Sequence, residues 1–241
     1  MRRSLRVCLA AGCVLALAAF TPSTDYVLAA FSNMSPGETV RGWEPLSFED
    51  GPRTQYSLVQ YGETTVVRAQ ANRSASGLIR RVTIDPNRFP VLTWRWKVEG
   101  VLPRGDVRRK SGDDYPARIY ITFDKDPSEL GLADRVRYRA IRALGYDDVP
   151  VRALNYIWAN QASEGQIVPN PYTNWVKMIP VQSGNANAGT WQVEMRDVVR
   201  DYRAAFGEDP PPINGIAIMT DADNTKGSAT AYYGDMRMRA R

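Results

Sequence analysis

Val91-Leu92-Thr93-Trp94-Arg95-Trp96-Lys97-Val98 is the stretch from which the fold is read. Leu92, Trp94, Trp96 and Val98 fall on one side of an extended chain, and Thr93, Arg95 and Lys97 on the other. That period of two marks a strand with one face in a core. Ala117, Ile119, Ile121 and Phe123 alternate with Arg118, Tyr120 and Thr122 in the same way, and Leu78, Arg80, Val82 and Ile84 with Ile79, Arg81 and Thr83. Gln55–Tyr61 and residues 64–71 form a candidate hairpin across Gly62-Glu63. Segments 154–159, 175–182, 190–196, 215–221 and 229–238 complete ten expected strands, punctuated by Gly, Pro and Asn. Many short, half-polar strands imply antiparallel sheets packed face to face: an all-β-dominated, jelly-roll-like β-sandwich.

Two short helices interrupt the strands. Residues 128–144 start at Ser128, place Leu130, Ala133, Ala140, Ile141 and Leu144 near one stripe, and stop at Gly145. Residues 197–206 start at Asp197 as N-cap, turn Val198, Tyr202, Ala205 and Phe206 inward, and stop at Gly207. With no internal repeat and no linker, one domain is expected over residues 35–241.

The chain has 241 residues, 44% hydrophobic and 24% charged, the profile of a globular protein with its own core. Residues 1–30 read as a signal peptide. Arg2, Arg3 and Arg6 precede the apolar run from Val7 to Ala19, and small residues offer cleavage after 18–19 or after Ala30. Leu9-Ala10-Ala11-Gly12-Cys13 also resembles a lipobox, which would place a lipid on Cys13. Residues 1–30 hold three arginines and one aspartate, so their removal lowers the net charge from +5 to +3. That small surplus, interleaved with acids, is a poor footprint for nucleic acid. No transmembrane segment is expected beyond the signal.

Histidine is absent, and the only cysteines are Cys8 and Cys13, within the signal. The remaining chain therefore excludes Ser-His-Asp and Cys-His nucleophile systems and zinc sites of the His/Cys type. It also has no side chain whose unperturbed pKa suits neutral proton transfer. What remains is carboxylate, Lys or Tyr chemistry, an oxygen-ligated metal, or binding alone.

Three clusters carry the functional candidates. Asp113, Asp114 and Arg118 occur together in Gly112-Asp113-Asp114-Tyr115-Pro116-Ala117-Arg118. Adjacent carboxylates repel, so they require exposure, a cation or a metal. Asp221, Asp223 and Asn224, in Thr220-Asp221-Ala222-Asp223-Asn224-Thr225, supply hard oxygens suited to calcium, or else build an Asx turn. The third cluster is aromatic. Trp94 and Trp96 belong to the core, while Trp158, Trp175 and Tyr232 are candidate platforms for a sugar face.

The phrases Ser74-Ala75-Ser76-Gly77-Leu78, Leu92-Thr93-Trp94-Arg95-Trp96-Lys97, Gly112 through Arg118, and Thr220 through Thr225 resemble an exported bacterial family, domain of unknown function 3047. The resemblance implies an envelope or secreted single-domain protein and transfers no catalytic residue. The ending Ala231-Tyr232-Tyr233-Gly234-Asp235-Met236-Arg237-Met238 is similar to the last strand of jelly-roll carbohydrate-binding modules. The expected function is a non-catalytic module binding a saccharide or other envelope polymer, with calcium as a supporting ion. Two alternatives stand beside it. One is a glycoside hydrolase or lyase with Asp113 or Asp114 opposite Asp221 or Asp223. The other is an envelope scaffold.

Overall fold

A computed structural model of the chain describes residues 25–47, 51–143 and 150–240. Its strands are β1 (Asp25–Ala29), β2 (Glu44–Leu46), β3 (Gln55–Tyr61), β4 (Thr64–Asn72), β5 (Ala75–Ile84), β6 (Val91–Val98) and β7 (Arg118–Phe123). They continue with β8 (Ala153–Ala159), β9 (Val168–Asn170), β10 (Thr173–Ser183), β11 (Gln192–Asp197), β12 (Ile213–Asp221) and β13 (Ser228–Arg239). Two α-helices join them: α1 (Leu132–Ala143) and α2 (Val198–Phe206).

The strands form two facing sheets. The six-stranded sheet runs β11-β6-β13-β4-β3, with β1 added alongside the second half of β13. The seven-stranded sheet runs β2-β5-β12-β7-β8-β10-β9. Pairing is antiparallel except between β8 and β10, so the second sheet is mixed where a fully antiparallel one was expected. Thirteen residues separate these two strands and include β9, long enough for a crossover that returns the chain in its original direction.

The core lies between the sheets and is closed by the residues that alternation singled out. Trp94 of β6 stacks on Tyr156 of β8 with ring centres 5.4 Å apart, and Trp96 meets Trp158 at 5.9 Å. Val67 and Ala69 of β4, Ile119 and Ile121 of β7, and Ile216 and Ile218 of β12 fill the same layer. Leu28, Ala29 and Phe31 are buried in it as well. The folded unit therefore extends N-terminally to Asp25, beyond the expected boundary at 35. The earlier part of the expected signal, with Cys8 and Cys13, lies outside the described residues.

Helix α2 follows its sequence signals. Asp197 accepts a hydrogen bond from the Arg200 amide at 2.9 Å, and Gly207 closes the helix at φ +73°. Tyr202 packs on Phe123 at 4.5 Å. Helix α1 departs at its start from the expected 128–144, whose end, with the expected stop at Gly145, lies outside the described residues. Residues 127–129 form a separate 3-10 turn capped by Asp126, whose side chain accepts from the Ser128 amide. Of the expected inward residues, Leu130 is buried while Ala133 and Ala140 are exposed, as are Leu132 and Val136; Ile141 and Leu144 lie outside the described side chains. The strands already close the core, so α1 sits outside it, docked through Tyr138 against Trp175 at 5.6 Å.

Candidate functional site

Alternation along β7 sends Arg118, Tyr120 and Thr122 to the outer face of the seven-stranded sheet. Register then sets Arg118 beside Met219 of β12, two residues before Asp221. The two acidic loops consequently meet, which sequence alone left open. Arg118 donates through Nε to Asp221 Oδ1 at 2.9 Å, and through Nη2 to Asp221 Oδ2 and to the Asp113 carbonyl. Its Nη1 donates to Tyr120 Oη at 3.0 Å and lies 3.7 Å from Asp113 Oδ1. The Tyr115 amide donates to Asp221 Oδ1 at 3.0 Å, and the Tyr115 ring lies under the guanidinium at 4.3 Å. Asp114 ties in the second loop, accepting from the backbone amides of Asn224 at 3.2 Å and Thr225 at 2.5 Å. Gly112 makes the approach possible, since a Cβ there would stand 2.7 Å from the Asp106 nitrogen.

One guanidinium faces several carboxylates, all out of water. Asp113, Asp114, Arg118 and Asp221 are each no more than 5% exposed. Burial pushes Asp221 up to about 8, and the neighbouring Asp114 and Asp113 add to the rise while Arg118 opposes it. Burial likewise raises Asp113, against the pull of Arg118, and lifts Tyr120 to about 12. Asp113 Oδ1 makes no hydrogen bond. Carboxylate oxygens of Asp114, Asp221 and Asp223 lie within 4.8 Å of one another, a hard-oxygen donor set of the kind calcium takes.

This cluster closes one end of a groove of about 390 Å³ on the outer face of the seven-stranded sheet. Its floor is apolar, formed by Leu46, Ile79, Ala217 and Met219, with Tyr120 and Thr122 beside them. Along one side run Asn170, Tyr172 and Trp175, with Arg137 of α1 at the lip, donating to the Tyr172 carbonyl. Asn170 Nδ2 reaches Asp113 Oδ2 at 3.3 Å, and Asn224 Nδ2 reaches Tyr172 Oη at 3.3 Å. Tyr172 is 39% exposed, and the Lys110 ammonium lies over its ring, 5.0 Å from the centre.

Of the expected site residues, Asp113, Arg118, Trp175, Asp221, Asp223 and Asn224 line this groove, and Asp114 braces it. Trp158 does not belong to it. That ring is fully buried between the sheets, and its Nε1 donates to the Gly184 carbonyl at 3.0 Å. Trp175 lines the wall but is only 1% exposed, because Tyr138 covers it. Tyr232 lies on the opposite sheet, with its ring 5.2 Å from that of Tyr61. Tyr120, Asn170 and Tyr172 were not singled out in advance, although Tyr120 shares the polar face of its strand with Arg118. Asn155 was also missed. It pairs with Tyr120 across the sheet and is fully buried, and neither atom of its amide group has a partner.

Residues 41–237 match the family described as "Protein of unknown function (DUF3047)". The chain belongs to that family. Among solved structures it is similar to the family 30 carbohydrate-binding module of the cellulosomal cellulase Cel9D-Cel44B of Clostridium thermocellum. That match has a TM-score of 0.38 and 13% identity, and covers 90% of this chain and 98% of the module. It is also similar to the cellulose-induced protein Cip1, with a TM-score of 0.33 and 12% identity over 80% of this chain and 89% of that one. No curated protein matches the chain.

Proposed function

We propose that this family member is a non-catalytic saccharide-binding module of an exported chain, with the groove on the seven-stranded sheet as its binding site. The observation that carries the proposal is the pairing of an apolar, tyrosine-flanked floor with planar polar groups at one end. Sugars present both kinds of surface: hydroxyl pairs that amides and carboxylates bind in plane, and C–H faces that stack on aromatic rings. Asn170, Asp223 and Asn224 supply the first, and Tyr120 and Tyr172 the second. Calcium at the closed end belongs to the same proposal, held by Asp114 and Asp223 with Asp221, whose oxygens Arg118 already shares.

Binding is favoured over hydrolysis by how the carboxylates are held. Bond cleavage needs two carboxyl groups flanking a substrate. Asp221 is clasped at both oxygens by Arg118, and both Asp114 oxygens accept backbone amides. Among the described residues no helix is long and apolar enough to cross a membrane. The test is a panel of neutral glycans, followed by titration of any that is retained. Tyr172→Ala and Asn170→Ala are expected to weaken binding at least tenfold with little change in the unfolding midpoint. Retention of nothing, or equal affinity in both variants, would overturn the proposal.

A further inference from the structure

We infer that the outer face of the six-stranded sheet is a second ligand surface, for polysaccharides that carry carboxylates, separate from the groove. Register sets Arg68 of β4, Tyr232 of β13 and Lys97 of β6 in one row across three strands. Tyr61 joins them, its ring 5.2 Å from Tyr232 and 5.4 Å from Trp191. The Lys97 ammonium lies 5.0 Å from the ring centre of Tyr61 and 5.2 Å from that of Tyr232, donates to Tyr61 Oη at 2.8 Å and pairs with Glu99 at 3.2 Å. Lys97 is itself 8% exposed, so its charge is spent holding the rings in place.

The two arginines are not spent in this way. Arg95 lies over the Trp191 ring at 5.0 Å, and its side chain makes one long hydrogen bond, to Thr64 Oγ1 at 3.4 Å. The Nε of Arg68 is buried without a hydrogen-bond partner, so its two terminal nitrogens are the donors left to meet a ligand. Gly234 keeps Arg95 flat against the sheet, since a Cβ at that position would fall 2.5 Å from Arg95 Cγ. A guanidinium with open donors takes a carboxylate in a two-pronged fit. The adjacent tyrosine and tryptophan rings offer faces on which the sugar bearing that carboxylate can stack. A neutral sugar would leave the guanidinium donors unanswered, and a bare phosphate would leave the rings unused.

The test is affinity electrophoresis of the full chain through gels containing polygalacturonate, alginate or dextran, at low and high salt. Retardation by at least one of the two uronate polymers and not by dextran, weakened by salt, is the expected result. The Arg68→Ala, Arg95→Ala double variant should bind at least tenfold more weakly. Gly234→Ala, which displaces Arg95 and keeps its charge, should also weaken binding. Arg108→Ala, which removes an exposed guanidinium from the loop before β7, should bind as the parent does, which separates this surface from general attraction to a basic chain. Passage through both uronate gels without retardation, unchanged affinity in the double variant, or an equal loss of uronate binding in Arg108→Ala would each overturn the inference. Should the double variant fail to fold, Arg68→Lys with Arg95→Lys keeps the charge and removes the planar fork. Undiminished binding by that pair would equally overturn it.

Discussion

Arg118→Met removes the one cation that the buried cluster possesses and keeps much of the stem that packs beside Tyr115. Three consequences add up. Asp221 loses both of its guanidinium hydrogen bonds, the Asp113 carbonyl loses one, and Tyr120 Oη loses its donor. Breaking a buried ion pair from one side costs about 3–5 kcal/mol, because a charge remains in low dielectric without compensation. For a domain of this size that is roughly 6–20 °C in the unfolding midpoint.

The cost should depend on pH, and its sign follows from the raised carboxylates. Asp221 sits up at about 8 in the folded chain, far above its unfolded value, so its stabilising contribution is present at low pH and is lost as pH rises through 8. Removing Arg118 pushes it higher still. The deficit of the variant is therefore smaller at pH 5, where Asp221 is protonated and needs no counter-charge, and grows as pH rises to 8 and beyond, where Asp221 ionises in the parent. Urea unfolding of parent and variant at pH 5 and pH 8 measures this directly. Adding Asp221→Asn to Arg118→Met should recover more than half of the loss at pH 8. A deficit below about 1 kcal/mol, or one that grows on acidification, would refute the claim that Arg118 neutralises a buried acidic cluster.

Other outcomes follow from the same geometry. Calcium at a hundredfold excess over its dissociation constant should raise the midpoint by about 2.7 kcal/mol of stabilisation, or roughly 5–10 °C over chelator-treated protein. Asp223→Asn should erase that shift, and equal midpoints with calcium and chelator would rule out the metal. The parent chain should itself lose stability as pH climbs from about 4 toward 8, because burial raises both Asp113 and Asp221; Asp221→Asn should flatten that profile, and a parent whose stability rises over the range would contradict it. Asn155→Leu, which replaces a buried amide without partners, should leave stability unchanged or raised in chemical denaturation, whereas a loss above about 1 kcal/mol would show that the amide is satisfied after all.

How far the sequence reaches into this structure is set by the range of the interactions involved. Period-two alternation is local, so it located Val91–Val98 to the residue and put Leu92, Trp94, Trp96 and Val98 in the core. Helix α2 was equally legible, since its cap, apolar spacing and terminal glycine all lie within about three turns. The three-residue strands β2 and β9 are too short to alternate visibly, and β1 lay inside a segment whose apolar character already had another explanation. The parallel pairing of β8 with β10 follows from the path of the intervening chain, about which side-chain pattern says nothing.

The site exposes the deeper limit. Alternation assigns a residue to a face of a strand but cannot say whether that face meets water. Arg118 was placed on the polar side of β7, where a surface ion pair would be worth little. It is instead 2% exposed, covered by loops, and paired with an aspartate 103 positions later in the chain. The same ignorance of cover applies to the tryptophans: Trp158 faces the core, and Trp175, although it lines the groove, lies beneath Tyr138. What the sequence did mark correctly was the chemistry that needs cover. Two acidic loops and one arginine are costly to bury apart and become stable only when the fold brings them together. Residue types that conflict with burial are thus the legible part of such a site, and Tyr120, Tyr172 and Asn170, which carry no conflict, become visible only once the sheets are assembled.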